Sequence, residues 1–149
     1  PCALGEAVAE AMRVAMRAEI GWQNAGGLRA PLPEGAVTWG DVLTVLPFSN
    51  TVVRLTLRGG TILEALAHGT ARPGGGFPQL AGLRPRPGGA EVRGADGAWR
   101  PLEPERAYTV ATNDFLRRGG DGYAMFRQPL EALEDGPPVE EAVVRFLAR

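Results

Sequence analysis

The chain has 149 residues, with sixteen basic and seventeen acidic side chains and a formal net charge of −1. This length suits one domain with a buried core, and the balanced charge excludes a protein that binds nucleic-acid polymers by neutralising their phosphates. No run reaches the roughly 18 apolar residues that span a membrane, and one Cys with one His cannot form a disulfide or the usual ligand set of a zinc site.

Apolar residues that recur every three or four positions predict four helices, over about residues 4–18, 39–46, 61–68 and 138–147. Leu4 and Val8 begin the repeat of the first helix. Thr38 is the predicted N-cap of the second, with Asp41 three positions on completing a capping box. Thr61 is the predicted cap of the third, after a turn made by two glycines.

Strand patterns are predicted over residues 20–22, 51–58, 79–83, 90–93, 98–101 and 108–112. Asp96 and Gly97 form a strong two-residue turn signal for a hairpin. We assign the side chains of Trp22 and Trp39 to the core. Helices and strands mix without strict βαβ alternation. The sequence therefore predicts one α/β domain over residues 1–149, with helices packed on two mixed sheets.

Self-contained nucleophilic catalysis is excluded by the scarcity of its residues. A Ser-His-Asp triad would need Ser49 and His68, the one Ser and the one His of the chain. Ser49 follows Pro47 and Phe48 and lacks the Gly-x-Ser-x-Gly surroundings of a nucleophile elbow. Any reaction that this chain serves is expected to need groups from elsewhere.

Three segments combine glycine, polar side chains and aromatic rings, and they hold all three Asn residues: Asn24, Asn50 and Asn113. Binding groups concentrate in loops between buried elements, which favours a functional interpretation. Asn is also common in turns because its side chain bonds to the nearby backbone. The spacing alone leaves both interpretations open.

The first segment, residues 24–29, follows a strand and contains two glycines. Their backbone N–H groups can face an anion, and Arg29 can add a planar charged group that suits phosphate. This segment is not a GxGxxG fingerprint. An ordinary glycine turn beside a surface arginine would show the same residues.

The second and third segments offer rings and a carboxylate. Phe48 is either a core residue or a stacking platform, with Asn50 offering both a donor and an acceptor to the edge of a heterocycle. Phe115 follows a strand end, and Asp121 lies in the run Gly-Gly-Asp-Gly. Its carboxylate can accept two hydrogen bonds from a diol such as ribose, although the same run also suits a plain turn.

Taken together, the segments resemble a known family. The runs NAGGLR, VTWGDVLTVLPFSN, LTLRGGTILEAL, GGFPQLAG and YTVATNDFLRRGGDGYAMF, in this order from about residue 4 to 126, resemble the C-terminal domain of the 5'-nucleotidases and UDP-sugar hydrolases. The combination of PF-x-N with NDF-L-x-x-GGDGY is far more specific than its parts. The resemblance implies a substrate-binding domain with the layered α/β fold of that family.

The resemblance also implies a site for the nucleobase. In the family two aromatic rings enclose the base, and the matching positions are Phe48 and Phe115. The Asn of the first motif and the Asn after PF contact the base or sugar, which assigns these roles to Asn24 and Asn50.

The sugar and the phosphate have their own matching positions. The carboxylate of GGDGY binds ribose hydroxyls in the family, which implies this role for Asp121. Arg29 matches an arginine that approaches the sugar or phosphate, and Gly27 matches a glycine that lets the backbone come close to the ligand.

Two positions depart from the family pattern. Ala25 replaces a usual Gly, which requires a negative φ at this position, and Glu6 stands where Asn is common. Further phosphate-facing arginines of the family would fall before Pro1.

The family's hydrolytic centre is a site for two divalent metal ions in a separate N-terminal metallophosphatase domain, built from His, Asp and Asn. One His cannot supply it, and two-metal chemistry needs both ions around the attacked phosphoryl group. The chain is therefore expected to bind no cofactor itself and to be inactive alone, while the full-length protein is an enzyme. Its expected partners are a nucleotide or nucleoside and its own metallophosphatase domain. Family members are typically periplasmic, secreted or surface-attached.

One alternative remains within the resemblance and one outside it. Relatives that act on 2',3'-cyclic nucleotides also stack a base, often with Tyr. A sulfur-oxidation relative handles no base and should lack the paired rings, so Phe48, Phe115 and Asp121 argue against it. The alternative outside the resemblance is a stand-alone nucleoside-binding module. An upstream segment of about 300 residues with Asp-x-His and Gly-Asn-His-Asp motifs would favour the enzyme.

Overall fold

The computed structural model describes residues 3–28, 30, 35, 37–47, 49–71, 73–131 and 133–149. The helices in these ranges are α1 (Ala3–Ala15), α2 (Trp39–Val45), α3 (Gly59–Thr70), α4 (Asp114–Arg117) and α5 (Val139–Ala148). The strands are β1 (Ile20–Asn24), β2 (Thr51–Arg58), β3 (Pro78–Ala81), β4 (Leu83–Arg86), β5 (Gly89–Arg93), β6 (Trp99–Pro101), β7 (Ala107–Asn113) and β8 (Glu134–Pro138). Short 3₁₀ turns occupy Ala25–Gly27, Gly120–Gly122 and Ala124–Arg127. None of the helices in these ranges combines the length and hydrophobicity that a membrane-spanning segment needs.

The strands form two sheets. The larger has the order β3-β1-β7-β2-β8, and the smaller has the order β4-β5-β6. In the larger sheet β1 and β7 are parallel, with Ile20 opposite Val110, and the other pairs are antiparallel. The predicted α/β architecture is confirmed. The smaller sheet is antiparallel throughout, because short turns join its consecutive strands and such turns reverse the chain.

One face of the larger sheet carries the larger core cluster. Val53, Leu55 and Leu57 alternate along β2 and are almost completely buried, as the period of two in a strand dictates. The ring of Trp22 from β1 lies in the same cluster. Its other buried members include residues of α3, the smaller sheet and the turns after α4: Ile62, Ala65, Leu66, Leu83, Ala90, Val92, Tyr123 and Phe126.

The opposite face of the same sheet is covered by three helices. Val52 of β2 and Ala111 of β7 point to this side and are fully buried. They pack against apolar residues of α1, α2 and α5, namely Val8, Ala11, Met12, Val42, Val45, Val139, Ala142 and Val143. The larger sheet therefore lies between a layer of helices and a layer made of α3 and the smaller sheet.

The first helix ends three residues before its predicted end at 18. The N–H of Ala18 donates to the carbonyl of Arg13, and the N–H of Arg17 donates to that of Val14. With Arg17 at φ 52°, these two bonds form the Schellman arrangement that closes a helix. Glycine usually occupies this position, so the sequence lacked the expected signal.

The third helix begins two residues before the predicted cap at Thr61. The N–H groups of Gly59 and Gly60 donate to the carbonyls of Arg106 and Pro104, at 2.8 and 2.9 Å. These groups have no partner within a helix, and here a distant loop satisfies them in place of a capping side chain. The prediction at Thr61 was wrong because the acceptors lie more than 40 residues further along the chain.

The predicted capping box of the second helix is confirmed. The hydroxyl of Thr38 accepts from the N–H of Asp41 at 3.1 Å, and the carboxylate of Asp41 accepts from the N–H of Thr38 at 2.8 Å.

The assignment of Trp39 to the core was wrong. Its side chain is 49% exposed at the start of α2, whereas Trp22 is fully buried as predicted. Strand β8 was not predicted, because its Glu, Asp, Gly and Pro residues are poor strand formers that pair here at a sheet edge.

Candidate functional site

The strand order brings four chain segments to one end of the larger sheet. Because β1 and β7 are parallel neighbours, their carboxyl ends at Asn24 and Asn113 lie at the same end. The antiparallel partners start there as well, with Val52 opposite Asn113 and Pro78 opposite Asn24. Ends of parallel strands are a common place for ligand sites in α/β sheets.

A cleft of about 420 Å³ opens at this end of the sheet, within the usual size range of small-ligand pockets. Its lining includes two glycines from neighbouring loops, Gly26 and Gly75, and five of the predicted site residues: Asn24, Gly27, Asn50, Phe115 and Asp121. The structure thus brings together five residues that are spread over nearly 100 positions. The other two, Arg29 and Phe48, lie outside the described residues.

A line of side-chain amides connects the cleft to the protein interior. The amide of Asn113 donates to the side-chain oxygens of Gln23 and Asn24, at 3.0 and 2.9 Å. The amide of Asn24 in turn donates to a carboxylate oxygen of Asp121 at 3.0 Å. Gln23, Asn24 and Asn113 are at most 5% exposed. Asp121 is therefore held by a buried network that leaves its carboxylate at the cleft wall.

The backbone around Asp121 follows an irregular path. Asp121 itself has φ 55°, and the flanking Gly119 and Gly122 have φ 94° and 81°. Asp tolerates the left-handed region better than most residues because its short side chain bonds locally. A Cβ at Gly122 would lie 2.7 Å from the ring of His68, so close packing as well as φ requires glycine there. The predicted turn is real, and it carries the carboxylate into the cleft.

Phe115 presents an open aromatic surface to the cleft. It lies in α4, whose N-cap Asn113 accepts from the N–H of Leu116 at 2.8 Å. Leu116 is fully buried, whereas Phe115 is 39% exposed. The ring of Phe115 packs over Gly120, where a Cβ would lie 2.5 Å from its nearest ring atom. Phe115 is therefore not an ordinary core residue.

The glycine turn after β1 is set by contacts inside the protein. A Cβ at Gly27 would clash with the amide nitrogen of Gln23, so packing within the chain alone explains the glycine. The N–H of Gly26 donates to the carbonyl of Gly75 at 2.7 Å, which joins this turn to the loop before β3. Among the described residues other than glycine, only Arg17 and Asp121 have a positive φ. Ala25 is thus compatible with its backbone, as the sequence required.

Three features of the site were not predicted from the sequence: the ring of His68, the hydroxyl of Tyr123 and the loop before β3. His68 lies within hydrogen-bonding distance of the carbonyl of Asp121, with Nε2 at 2.8 Å from the oxygen. Tyr123 is fully buried and donates its hydroxyl to the carbonyl of Gly76 at 2.6 Å. Burial raises the pKa of Tyr123 to about 12, so the hydroxyl is a donor across the physiological range. The glycines of that loop were the available signal.

A second cleft of about 310 Å³ adjoins the first. It is lined by His68, Gly69, residues 73–77 and Asp121, and it shares Gly75 and Asp121 with the larger cleft. Within the part of the chain that the structure describes, no group of three or more His, Cys, Asp or Glu side chains is placed to hold a metal ion.

Comparison with known proteins gives a consistent result. Residues 1–128 match the family model described as "5'-nucleotidase, C-terminal domain". The chain is 37% identical to the trifunctional nucleotide phosphoesterase protein YfkN of Bacillus subtilis, in a 142-residue alignment that covers 84% of the chain. It is 30% identical to the human 5'-nucleotidase, in a 146-residue alignment that covers 85% of the chain.

The crystal structure of a 5'-nucleotidase precursor from Thermus thermophilus superposes on the chain with a TM-score of 0.88 at 35% identity, covering 97% of the chain. The matched region is a minor part of each of these proteins. It amounts to 10% of the B. subtilis protein, 25% of the human protein and 32% of the T. thermophilus chain.

Proposed function

Because the chain belongs to the 5'-nucleotidase C-terminal domain family, we propose that its cleft binds a nucleotide by its base and ribose and positions the phosphate ester for a partner domain. One observation carries the proposal. The half-exposed ring of Phe115 and the carboxylate of Asp121 line the same cleft, which pairs an apolar surface for a base with an acceptor for a diol.

The base stacks between Phe115 and Phe48. A base on an aromatic side chain gains about 1–3 kcal/mol per stack, and Phe115 has the open surface that such a contact needs. The second ring is assigned from the family resemblance of the PF-x-N segment. Its neighbour Asn50 lines the cleft, which supports placing this segment at the site. The side chain of Asn50 then meets the edge of the base or the sugar.

The ribose binds to Asp121. One carboxylate oxygen accepts from the amide of Asn24, and the remaining lone pairs are available for the 2' and 3' hydroxyls. Hydrogen bonds to an ionised acceptor are stronger than neutral ones. Arg29 approaches the sugar or the phosphate, and the turn that contains Gly27 provides the close approach of backbone to the ligand.

Hydrolysis belongs to an N-terminal metallophosphatase domain with two divalent metal ions. The role of this chain is to hold the ester in place, which contributes to the rate by orientation rather than by bond making. The chain alone binds nucleosides weakly and hydrolyses nothing. The full-length protein acts outside the cytoplasm, as a periplasmic, secreted or cell-surface hydrolase.

The test compares AMP with ribose 5-phosphate, which has the same sugar and phosphate but no base. Isothermal titration of the 149-residue chain should give saturable binding of AMP and at least about 30-fold weaker binding of ribose 5-phosphate, since two stacks are lost. Equal affinities would contradict base stacking. No heat or chemical-shift change with either ligand would contradict the proposed site as a whole.

A further inference from the structure

We propose that His68 is a positioning residue that holds Asp121 in the orientation in which its carboxylate receives the ribose hydroxyls. The inference rests on the proposed function and extends it to a side chain outside the main cleft. It assigns to the one His of the chain a role in ribose recognition that is exerted through Asp121.

The contact that supports this role is direct. The Nε2 atom of His68 lies 2.8 Å from the backbone carbonyl oxygen of Asp121. A carbonyl oxygen only accepts hydrogen bonds, so Nε2 carries the proton and donates it. His68 lies in the last turn of α3, a helix of twelve residues packed on the core, and it therefore provides a fixed point for the loop.

The loop needs such a fixed point. Asp121 is solvent-exposed and lies between two glycines of positive φ, Gly119 and Gly122. Glycine allows more backbone conformations than any other residue, so little in the local sequence selects the observed one. The amide of Asn24 holds the side chain of Asp121, at Oδ2, and His68 holds its backbone. The two contacts together define the direction of the carboxylate.

Packing keeps the His68 ring in place. Its ring centroid lies 4.8 Å from that of Tyr123 with the planes at 79°, an edge-to-face contact of a kind that is favourable between aromatic rings. Tyr123 is in turn bonded to the carbonyl of Gly76. The ring also lies close to Gly122, where an added Cβ would be only 2.7 Å from His68. The contact with Tyr123 therefore holds the donor on the side of the ring that faces Asp121.

The test uses two ligands and three variants of the 149-residue chain. Adenosine has both ribose hydroxyls, and 2',3'-dideoxyadenosine has the same base without them. His68→Phe keeps a planar ring but has no donor, His68→Ala removes the ring at an exposed helix position, and His68→Gln retains an N–H donor. Affinities are measured by isothermal titration, and folding is checked by urea unfolding.

The unsubstituted chain should bind adenosine more tightly than the dideoxy compound. In His68→Phe and His68→Ala the affinity for adenosine should fall by about three- to tenfold, the effect of one hydrogen bond, with the affinity for the dideoxy compound unchanged. His68→Gln should recover most of the loss. A purely structural role of His68 would instead lower the affinity for both ligands equally. The pattern therefore distinguishes positioning from a structural role.

Three results would overturn the inference. They are equal losses for both ligands, no loss for either, or no recovery in His68→Gln. In each case adenosine still binds to the unsubstituted chain in preference to the dideoxy compound, so the proposed function survives. If the unsubstituted chain binds neither ligand, or binds both equally, the proposed role of Asp121 fails first and the role of His68 fails with it.

Discussion

The amide of Asn24 donates to the carboxylate of Asp121 at 3.0 Å, although 97 residues separate them in the sequence. One lies at the end of β1 and the other in a turn after α4. Their contact joins two of the segments that line the cleft, and Asn113 supports it from the buried side. The polar wall of the cleft is therefore held by hydrogen bonds within the chain itself, and groups held in this way lose less entropy when a ligand binds.

Asn113→Ala should destabilise the chain by about 2–4 kcal/mol, measured as the free energy of unfolding in urea. The substitution removes the N-cap of α4 and leaves the buried oxygens of Gln23 and Asn24 without their donor. Thr38→Ala is the matched control, since it removes an exposed cap of α2 and should cost about 1 kcal/mol. Equal losses in the two variants would show that the buried amide network adds no stability beyond capping.

Asp121→Asn should leave stability nearly unchanged but weaken adenosine binding. Asn suits the left-handed backbone at this position and still offers an oxygen to Asn24, whereas the charge that strengthens the bonds to ribose is lost. Asp121→Ala should lose the same affinity and also about 1 kcal/mol of stability, because Ala is strained at positive φ. Adenosine affinity retained in both variants would contradict the assignment of Asp121 to the ribose.

Gly120→Ala should weaken nucleoside binding by displacing the ring of Phe115. The added Cβ would lie 2.5 Å from the ring, and an exposed side chain can move away at a small cost in folding free energy. The affinity for adenosine should fall about tenfold, the value of one stack. Gly89→Ala is the matched control, because a Cβ there meets nothing within 4 Å. An unchanged affinity in Gly120→Ala would mean that the observed position of Phe115 is not the one that binds the base.

Tyr123 should make the stability of the chain fall in alkaline solution. Burial raises its pKa to about 12 from the ordinary value of 10.0, so the unfolded chain loses this proton first. The contribution of this raised pKa to the free energy of unfolding is complete below about pH 10 and is lost as the pH rises toward about 12. Urea unfolding between these limits should show the decline, and Tyr123→Phe should reduce it. The same decline in both proteins would contradict this assignment.

Local sequence signals predicted the local parts of the fold. The capping box of Thr38 and Asp41 involves residues three apart, and β2 alternates apolar and polar residues against a buried face. The errors arise where a distant segment decides the structure. The start of α3 is satisfied by the carbonyls of Arg106 and Pro104, and β8 becomes a strand by pairing with β2.

The same distinction applies to the site. The resemblance of the motifs identified Asn24, Asn50, Phe115 and Asp121, which line one cleft. His68 was not identified, because its contact with Asp121 spans 53 residues and a single His in a helix has no motif. Such contacts follow from the way α3 packs on the sheet, which no short pattern in the sequence records.

The most direct test of the account is the binding of adenosine to variants that lack one of the two proposed stacking rings. Phe48→Ala and Phe115→Ala should each weaken the adenosine affinity at least about tenfold, the value of one stack, while the chain stays folded. Trp39→Ala, which removes an even more exposed ring in α2, should bind like the unsubstituted chain. Unchanged adenosine binding in both Phe variants would contradict the claim that these two rings hold the base.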